Sequence, residues 1–456
     1  MRTWFLRSGF VLAVAVASAA TPTLAYACNE ASPADAGHGH AAVAEAAPAA
    51  AVPAVKNVRH LANLPDAAGA IAINFLQYRH RDVMLVMGQF GVRSYDITRD
   101  PTRPRFLSEV SMPGMWQMED TEVDHKRKLV FLARDPRAFG GNVLTGESGI
   151  YTVDASDPEN LRTISYVQVP AGHTTSCVND CRYLWTGGPA KAATQPADWG
   201  GRPIWVTDMR DPRNPVVFPN PIDLGRNDGK TDYSHDVQVD ANGIAWVSGR
   251  GGTRGYHTDG WHRDPLTDRW RRATALDPVP YAGGGIDELA APSRFMHNSY
   301  RPVGPRSHDG GRDGRWGRGD DLIYVTEESF ADGCASDGVL VIASLRGSYD
   351  GEGWRSTPEN PFRLRPVSTW SVAGQEGSDP ASGDCSGHYF DVRGDILAMA
   401  FYAQGVRFLD ISDPTNPTQV AYFRPGDGRA WAPYWHRGYI FVADNLRGVD
   451  ILKLGR

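Results

Sequence analysis

From about residue 57 onward the chain alternates short apolar runs with tight clusters of Gly, Asp, Asn and Pro. Seven of the runs are strongly hydrophobic: DVMLVMG, KLVFLAR, YLWTGG, IAWVSG, LIYVTEE, DILAMAF and YIFVADN. Each is short, rich in β-branched or aromatic residues and bounded by turn residues, the pattern of a buried strand rather than a helix. Most are followed by a Gly turn, a second apolar run, an Asp/Pro turn and a third, alternating run. This unit recurs in QFGVRSYDITRDPTRP (Asp96, Asp100, Pro101), ESGIYTVDASDPENL (Asp154, Asp157, Pro158), RPIWVTDMRDPRNP (Asp208, Asp211, Pro212) and AQGVRFLDISDPTNP (Asp410, Asp413, Pro414). Degenerate copies start at Gly338 and Gly448. Ahead of each interior run a short polar-aromatic segment begins another strand.

Four strands per unit, seven units and almost no helical period predict an all-β, seven-bladed β-propeller. The rival, a β-solenoid, has shorter and more uniform repeats. The last unit ends one strand short. The segment Val55–Leu61 could supply that strand and close the ring by pairing the N- and C-terminal strands. The propeller is expected over residues 56–456.

Residues 1–27 carry Arg2 and Arg7, an apolar stretch and the small-x-small sequence Ala25-Tyr26-Ala27. They read as a cleaved signal peptide, against a transmembrane anchor that would need a longer run. Cleavage after Ala27 leaves Cys28 first, so a lipidated cysteine stays open. Residues 28–55 are Ala/Pro-rich and read as a disordered spacer. The 456 residues contain 41% hydrophobic and 22% charged side chains, enough apolar material for a sizeable core. Basic and acidic residues are mixed and the net charge is -6, which argues against nucleic acid as a partner. Past the N-terminus no apolar run is long enough to span a bilayer. The chain is therefore expected to be secreted or associated with the cell envelope. Besides Cys28 there are Cys177, Cys181, Cys334 and Cys385. In an oxidising compartment these suggest two bridges, Cys177–Cys181 and Cys334–Cys385, in preference to half a zinc site at C-x3-C.

The repeats GVRFLDISDPTNPTQVAYF and GVRSYDITRDPTRPRFLSEV resemble the LVIVD repeat of secreted bacterial β-propellers. The resemblance covers most of residues 57–456 and implies the fold more than an activity.

Counting back from the strong strands puts Asn74, Asp120, His173, His235, His297, His388 and Trp431 at one early position of successive units. In a propeller the start of the innermost strand faces the central axis, so these side chains should converge. Four imidazoles meeting in a partly buried place suit a transition metal. Copper or iron is favoured, with zinc or manganese as alternatives. The ligands would be His173, His235, His297 and His388, and an open coordination position would remain. Asp120 and Glu327 are the candidate catalytic acid/base groups. Glu119, Asp236, Asn74, Trp431 and Tyr402 are expected around them, with Trp116, Arg250, Arg429 and Trp435 as further candidates for the mouth. The bland alternative is a repeated histidine that holds a loop. The ring is similar in architecture to the metal sites of two propeller families. These are the carotenoid oxygenases and the selenium-binding proteins, which include methanethiol oxidases. Some propeller polysaccharide lyases also hold a metal with histidines. A metal-dependent enzyme acting on a small molecule or glycan at the central mouth is expected, oxidase or oxygenase before lyase. The alternative is a non-catalytic envelope scaffold that binds protein or glycan.

Overall fold

The interior runs become second strands that are buried on both faces, and this decides the architecture. In blade 1, Val83, Leu85 and Met87 pack toward blade 2 while Met84 and Val86 pack toward blade 7. Such a sheet has two apolar faces and needs a neighbour on each, which a closed ring supplies. Among the described residues there are seven apolar clusters, one at each junction between successive blades.

The computed structural model describes residues 53–112, 121–135, 148–188, 203–224, 234–249, 252–286 except 266, 295–302, 322–329, 338–345, 366–382 and 385–455. They all belong to one unit, Pro48–Arg456. Seven antiparallel sheets follow one another, and the protein is a seven-bladed β-propeller. Blade 1 is Ala70–Tyr78, Arg81–Gly88, Gly91–Asp96 and Arg105–Ser111. Blade 2 is Glu122–Asp124, Leu129–Arg134, Gly149–Asp154 and Arg162–Gln168. Blade 3 is Thr174–Val178, Tyr183–Gly187, Pro203–Asp208 and Val216–Val217, with Ile222–Asp223 also on the third strand. Blade 4 is Ser234–Val239, Ile244–Gly249, Gly252–His257 and Val279–Ile286, and an extra hairpin, Trp261–Asp264 with Arg269–Arg272, is inserted before its last strand. Blade 5 is Met296–Tyr300, Leu322–Glu327, Leu340–Ser344 and Pro366–Trp370. Blade 6 is Phe390–Arg393, Ile396–Ala400, Val406–Asp410 and Thr418–Arg424.

Blade 7 has Ala430–His436, Tyr439–Asp444 and Gly448–Leu454, and its outer strand comes from the other end of the chain, Val58–Leu64. The closing strand begins slightly later than expected. Its predecessor Ala54–Lys56 instead pairs with Thr418–Arg424 as a fifth strand of blade 6. Buried Asp450 fastens the closure: His60 Nε2 lies 2.8 Å from its Oδ1, Asn63 donates to the same oxygen at 3.0 Å, and Arg447 donates to Oδ2 at 2.9 Å.

The repeated aspartates are turn formers. Asp96, Asp154, Asp208 and Asp410 each accept the backbone N–H two residues on, at 2.9–3.0 Å. Asp100, Asp157, Asp211 and Asp413 do the same in the second half of the motif, at 2.9–3.1 Å. These are Asx turns, in which a side-chain oxygen takes over a backbone acceptor's work. The proline that follows presents its carbonyl to the preceding blade. Ser94 donates to Pro158 O at 2.6 Å, Ser165 to Pro212 O at 2.7 Å and Ser368 to Pro414 O at 2.5 Å. The motif therefore both turns the chain and ties blades 1 to 2, 2 to 3 and 5 to 6.

Cys177 and Cys181 form a disulfide across the hairpin of blade 3, with Cα atoms 4.4 Å apart. Cys385 is also disulfide-bonded; its expected partner Cys334 lies outside the described residues, as do residues 1–52 with the expected leader and most of the spacer. Among the described residues no helix is long and apolar enough to cross a membrane.

Asp444, fully buried at the end of the second strand of blade 7, generates a pH prediction. Its Oδ1 accepts the N–H groups of Arg429, Leu446 and Arg447 at 2.9–3.0 Å, but burial dominates and pushes the carboxyl up to about 6. The folded value lies above the unfolded one, so between about pH 4 and 6 the native state holds a proton that the unfolded chain has released. The Asp444 contribution to stability is thus present at low pH and lost as pH rises through that window. Asp444→Asn keeps the acceptor oxygen and removes the titration. Relative to wild type it should gain up to about 3 kcal/mol of unfolding free energy between pH 4 and pH 7. Urea titrations at the two pH values check this, and a pH-independent difference contradicts it.

Candidate metal centre

Blades 3 to 6 bring a histidine to the axis at the start of the first strand. His173 immediately precedes Thr174–Val178, His235 and His297 are the second residues of their first strands, and His388 lies just before Phe390–Arg393. At His235 and His297 the ladder skips a residue, a local bulge that takes the histidine out of the pairing. The four rings are fully buried and run in series around the axis. Centroids are 4.3 Å apart for His173–His235, 4.1 Å for His235–His297 and 4.0 Å for His297–His388. Trp431 of blade 7 continues the arc at 4.8 Å from His388.

The hydrogen bonds fix how these rings face. His235 Nδ1 lies 3.0 Å from the carbonyl of His297, and His388 Nδ1 lies 2.7 Å from the carbonyl of Trp431. A carbonyl can only accept, so both Nδ1 atoms carry the proton and both Nε2 atoms carry a lone pair. His173 Nδ1 lies 3.3 Å from a carboxylate oxygen of buried Asp135, which assigns the same tautomer to His173. The partners are the next blade's backbone or the preceding blade's carboxylate, not the histidine's own blade. His173 Nε2 and His235 Nε2 then stand 2.6 Å apart. Two lone pairs at that distance would repel, so the contact is a hydrogen bond with a proton shared between the two nitrogens.

A metal ion fits another part of the donor set. His235, His297 and Glu328 offer ligand atoms that all lie within 4.8 Å of one another and could hold a metal ion. Glu328 Oε2 is 3.8 Å from His297 Nε2, too far for a hydrogen bond. Metal–nitrogen and metal–oxygen bonds of about 2.0–2.2 Å place two ligands of one ion about 3–4.4 Å apart, so that spacing suits a shared ion. With the outer N–H of His173, His235 and His388 committed to a carbonyl or carboxylate, three of the four rings have the orienting contacts that metal-ligating histidines require.

Around this arc, Tyr402 donates its hydroxyl proton to Glu328 Oε1 and lays its ring 4.7 Å from His388. Arg429 holds its guanidinium 4.9 Å over Tyr402 and 5.5 Å over Trp431. Phe295 and Tyr389 pack edge-on against His235 and His297. Asp135 and Glu328 follow the second strands of blades 2 and 5. Sequence reasoning passed over both, and their common place, one residue beyond the second strand, emerges only once the strand ends are known.

Several expected residues stand elsewhere. Asn74 is displaced: blade 1 puts Ile71 at the bulged second position, and Asn74 donates instead to the carbonyl of Thr121. The first hairpin of blade 1 runs two residue pairs further than that of blade 6 (Leu76↔Val83 out to Tyr78↔Arg81, against a last pair Arg393↔Ile396), so a count back from Asp96 stops short. Glu327 turns its carboxylate away, accepting the N–H groups of Gly338 at 3.0 Å and Val339 at 3.3 Å. Gly338 has φ +71° and a Cβ there would lie 2.8 Å from Ser386 Cα, while its carbonyl accepts from Gly387 N, beside His388. Glu327 therefore shapes the turn that supports His388, and its neighbour Glu328 faces the arc. Asp236 accepts from Gln238 at 3.4 Å. Trp435 packs on Phe408 and Arg393, away from the histidines. Glu119, Asp120, Trp116 and Arg250 lie outside the described residues.

No protein-family model matches the chain, and no curated protein matches it. Solved structures do. The WD40 repeats of RRP9 align with a TM-score of 0.51 at 8% identity, covering 88% of this chain and 100% of that one. The periplasmic gluconolactonase PpgL of Pseudomonas aeruginosa aligns with a TM-score of 0.48 at 16% identity, covering 80% of this chain and 93% of its own. At these identities the likeness to RRP9 speaks for the propeller fold alone.

The two adjacent glutamates should behave oppositely. Glu327→Gln weakens charge-assisted bonds to the Gly338 turn and should cost about 1–2 kcal/mol of stability. Glu328→Gln should change stability little but weaken metal affinity about 10–100-fold, measured by chelator competition alongside thermal melts. The reverse pattern contradicts the assignment.

Proposed function

We propose that the arc of His173, His235, His297 and His388, with Glu328, is a transition-metal centre and that the chain is an exported metal-dependent enzyme. The observation that carries this reading is the meeting of buried His235, His297 and Glu328, whose ligand atoms all lie within 4.8 Å of one another. All-imidazole donors with one carboxylate suit copper, iron or zinc, and manganese by virtue of the carboxylate. Such an ion would supply Lewis-acid or redox chemistry to a ligand at the mouth. The Cys177–Cys181 bridge supports an oxidising compartment.

Oxidation is the reading we favour. Tyr402 and Trp431, two oxidisable rings 5.2 Å apart, both pack against His388, so electron-rich side chains adjoin the proposed ligands. A second reading, lyase chemistry, draws on the polar side of the same cluster. Tyr402 and Glu328 share a proton and could take one from a substrate carbon, while Arg429 over the Tyr402 ring favours an anionic group there. In either reading the substrate meets Tyr402, Glu328 and Arg429.

The test is turnover before and after chelation, with dioxygen uptake followed for phenols, thiols and polyenes and ultraviolet absorbance of unsaturated product followed for uronate polymers. Activity in one assay should vanish on metal removal, return on reloading, and fall at least 100-fold in Tyr402→Phe if the hydroxyl moves a proton. Full activity after complete chelation contradicts the proposal.

A further inference from the structure

The hairpin inserted in blade 4 departs from the repeat, and its two faces are unlike. Its inner face is clamped to the blade. Buried Asp264 accepts from Arg271 at 2.8 Å, Arg271 also bonds Asp277 at 2.8 Å and Pro278 O at 2.6 Å, and His262 stacks parallel to His257 at 3.5 Å. The register pairs Trp261 with Arg272 and Arg263 with Trp270, so these four residues share the outer face. Both indoles are largely in solvent, at 65% and 67% exposure. Among the described residues neither contacts another ring or a cation.

We propose that this ribbon face is a binding platform for an anionic polysaccharide of the uronic-acid type, independent of the metal reading. Two indoles on diagonally related positions lie about 7–8 Å apart at Cα, a spacing that serves successive rings of one chain rather than a single small molecule. Their flat faces suit the C–H faces of sugars. Among the described residues Arg272 makes no ion pair, and Arg263 is held only by exposed Asp268 at 2.6 Å. Guanidinium groups alternating with indoles match a polymer that alternates ring faces with carboxylates, which they can take two-pronged. The clamped inner face keeps the platform rigid, so little order is lost on binding. Other anionic partners fit less well. The indoles lie back from the tip, which presents Asp268, so the hairpin is poorly built to enter an anionic bilayer. Two guanidiniums are too few to track a phosphate backbone.

Affinity electrophoresis of the full chain tests this, with alginate and polygalacturonate as probes and hydroxyethylcellulose, phosphatidylglycerol vesicles and oligo-dT as comparisons by sedimentation or gel shift. Polyuronate should retard wild type, the Trp261→Ala/Trp270→Ala variant should bind at least tenfold more weakly, and Arg272→Gln severalfold more weakly with reduced salt sensitivity. All four residues are exposed, and circular dichroism confirms that the variants fold. The idea is overturned by absent retardation of wild type, by equal retardation of the double-tryptophan variant, by equal binding to the neutral glucan, or by preference for vesicles or oligo-dT. Chelation should leave binding unchanged, which separates this outcome from failure of the metal proposal.

Discussion

A sheet that is apolar on both faces must be covered on both, and that constraint governs this molecule. The alternation Val83, Met84, Leu85, Val86, Met87 sends side chains to two different neighbours, and the same division recurs in blade 5, where Ile323 and Val325 face one way and Leu322 and Tyr324 the other. An open row of such blades would leave a hydrophobic face in water at each end. Pairing Val58–Leu64 with Gly448–Leu454 removes both ends at once. Ring closure then forces every first strand toward one axis, and whatever those strands carry at their starts is desolvated together. The histidine arc is a consequence of the fold's closure, with the residue types chosen by the sequence.

Much of the fold was legible because the causes are local and repeat. Interior runs announce themselves by hydrophobicity, and the Asp-Pro motif announces its turns because each aspartate binds the N–H two residues on. The four histidines were found by the same regularity. Where regularity breaks, the reading fails for identifiable reasons. The longer first hairpin of blade 1 moved the axial position from Asn74 to Ile71. Parity is the other weakness: at the end of a strand nothing in LIYVTEE says which glutamate faces inward, and the turn at Gly338 claims Glu327. Asp135 acts across a blade boundary, a relation that spacing within one unit does not encode.

The site combines two kinds of order. The rings are aimed by contacts between blades, His235 to the carbonyl of His297 and His388 to that of Trp431, so their orientation depends on the junctions being formed. Glu328, Tyr402 and Arg429 add a proton-holding and charge-bearing side to the arc. A ligand set spread over several blades would make metal affinity and ring integrity mutually dependent, as binding to the native state alone always does.

The central claim is that the converging imidazoles share a metal ion. Elemental analysis by mass spectrometry of untagged protein, with a His235→Ala variant beside it, tests it most directly. The account predicts about one transition-metal ion per chain, lost in the variant, with X-ray absorption reporting a nitrogen-rich shell. A natively folded wild-type protein that carries no metal, and takes up none when offered copper, iron, zinc or manganese, would contradict it.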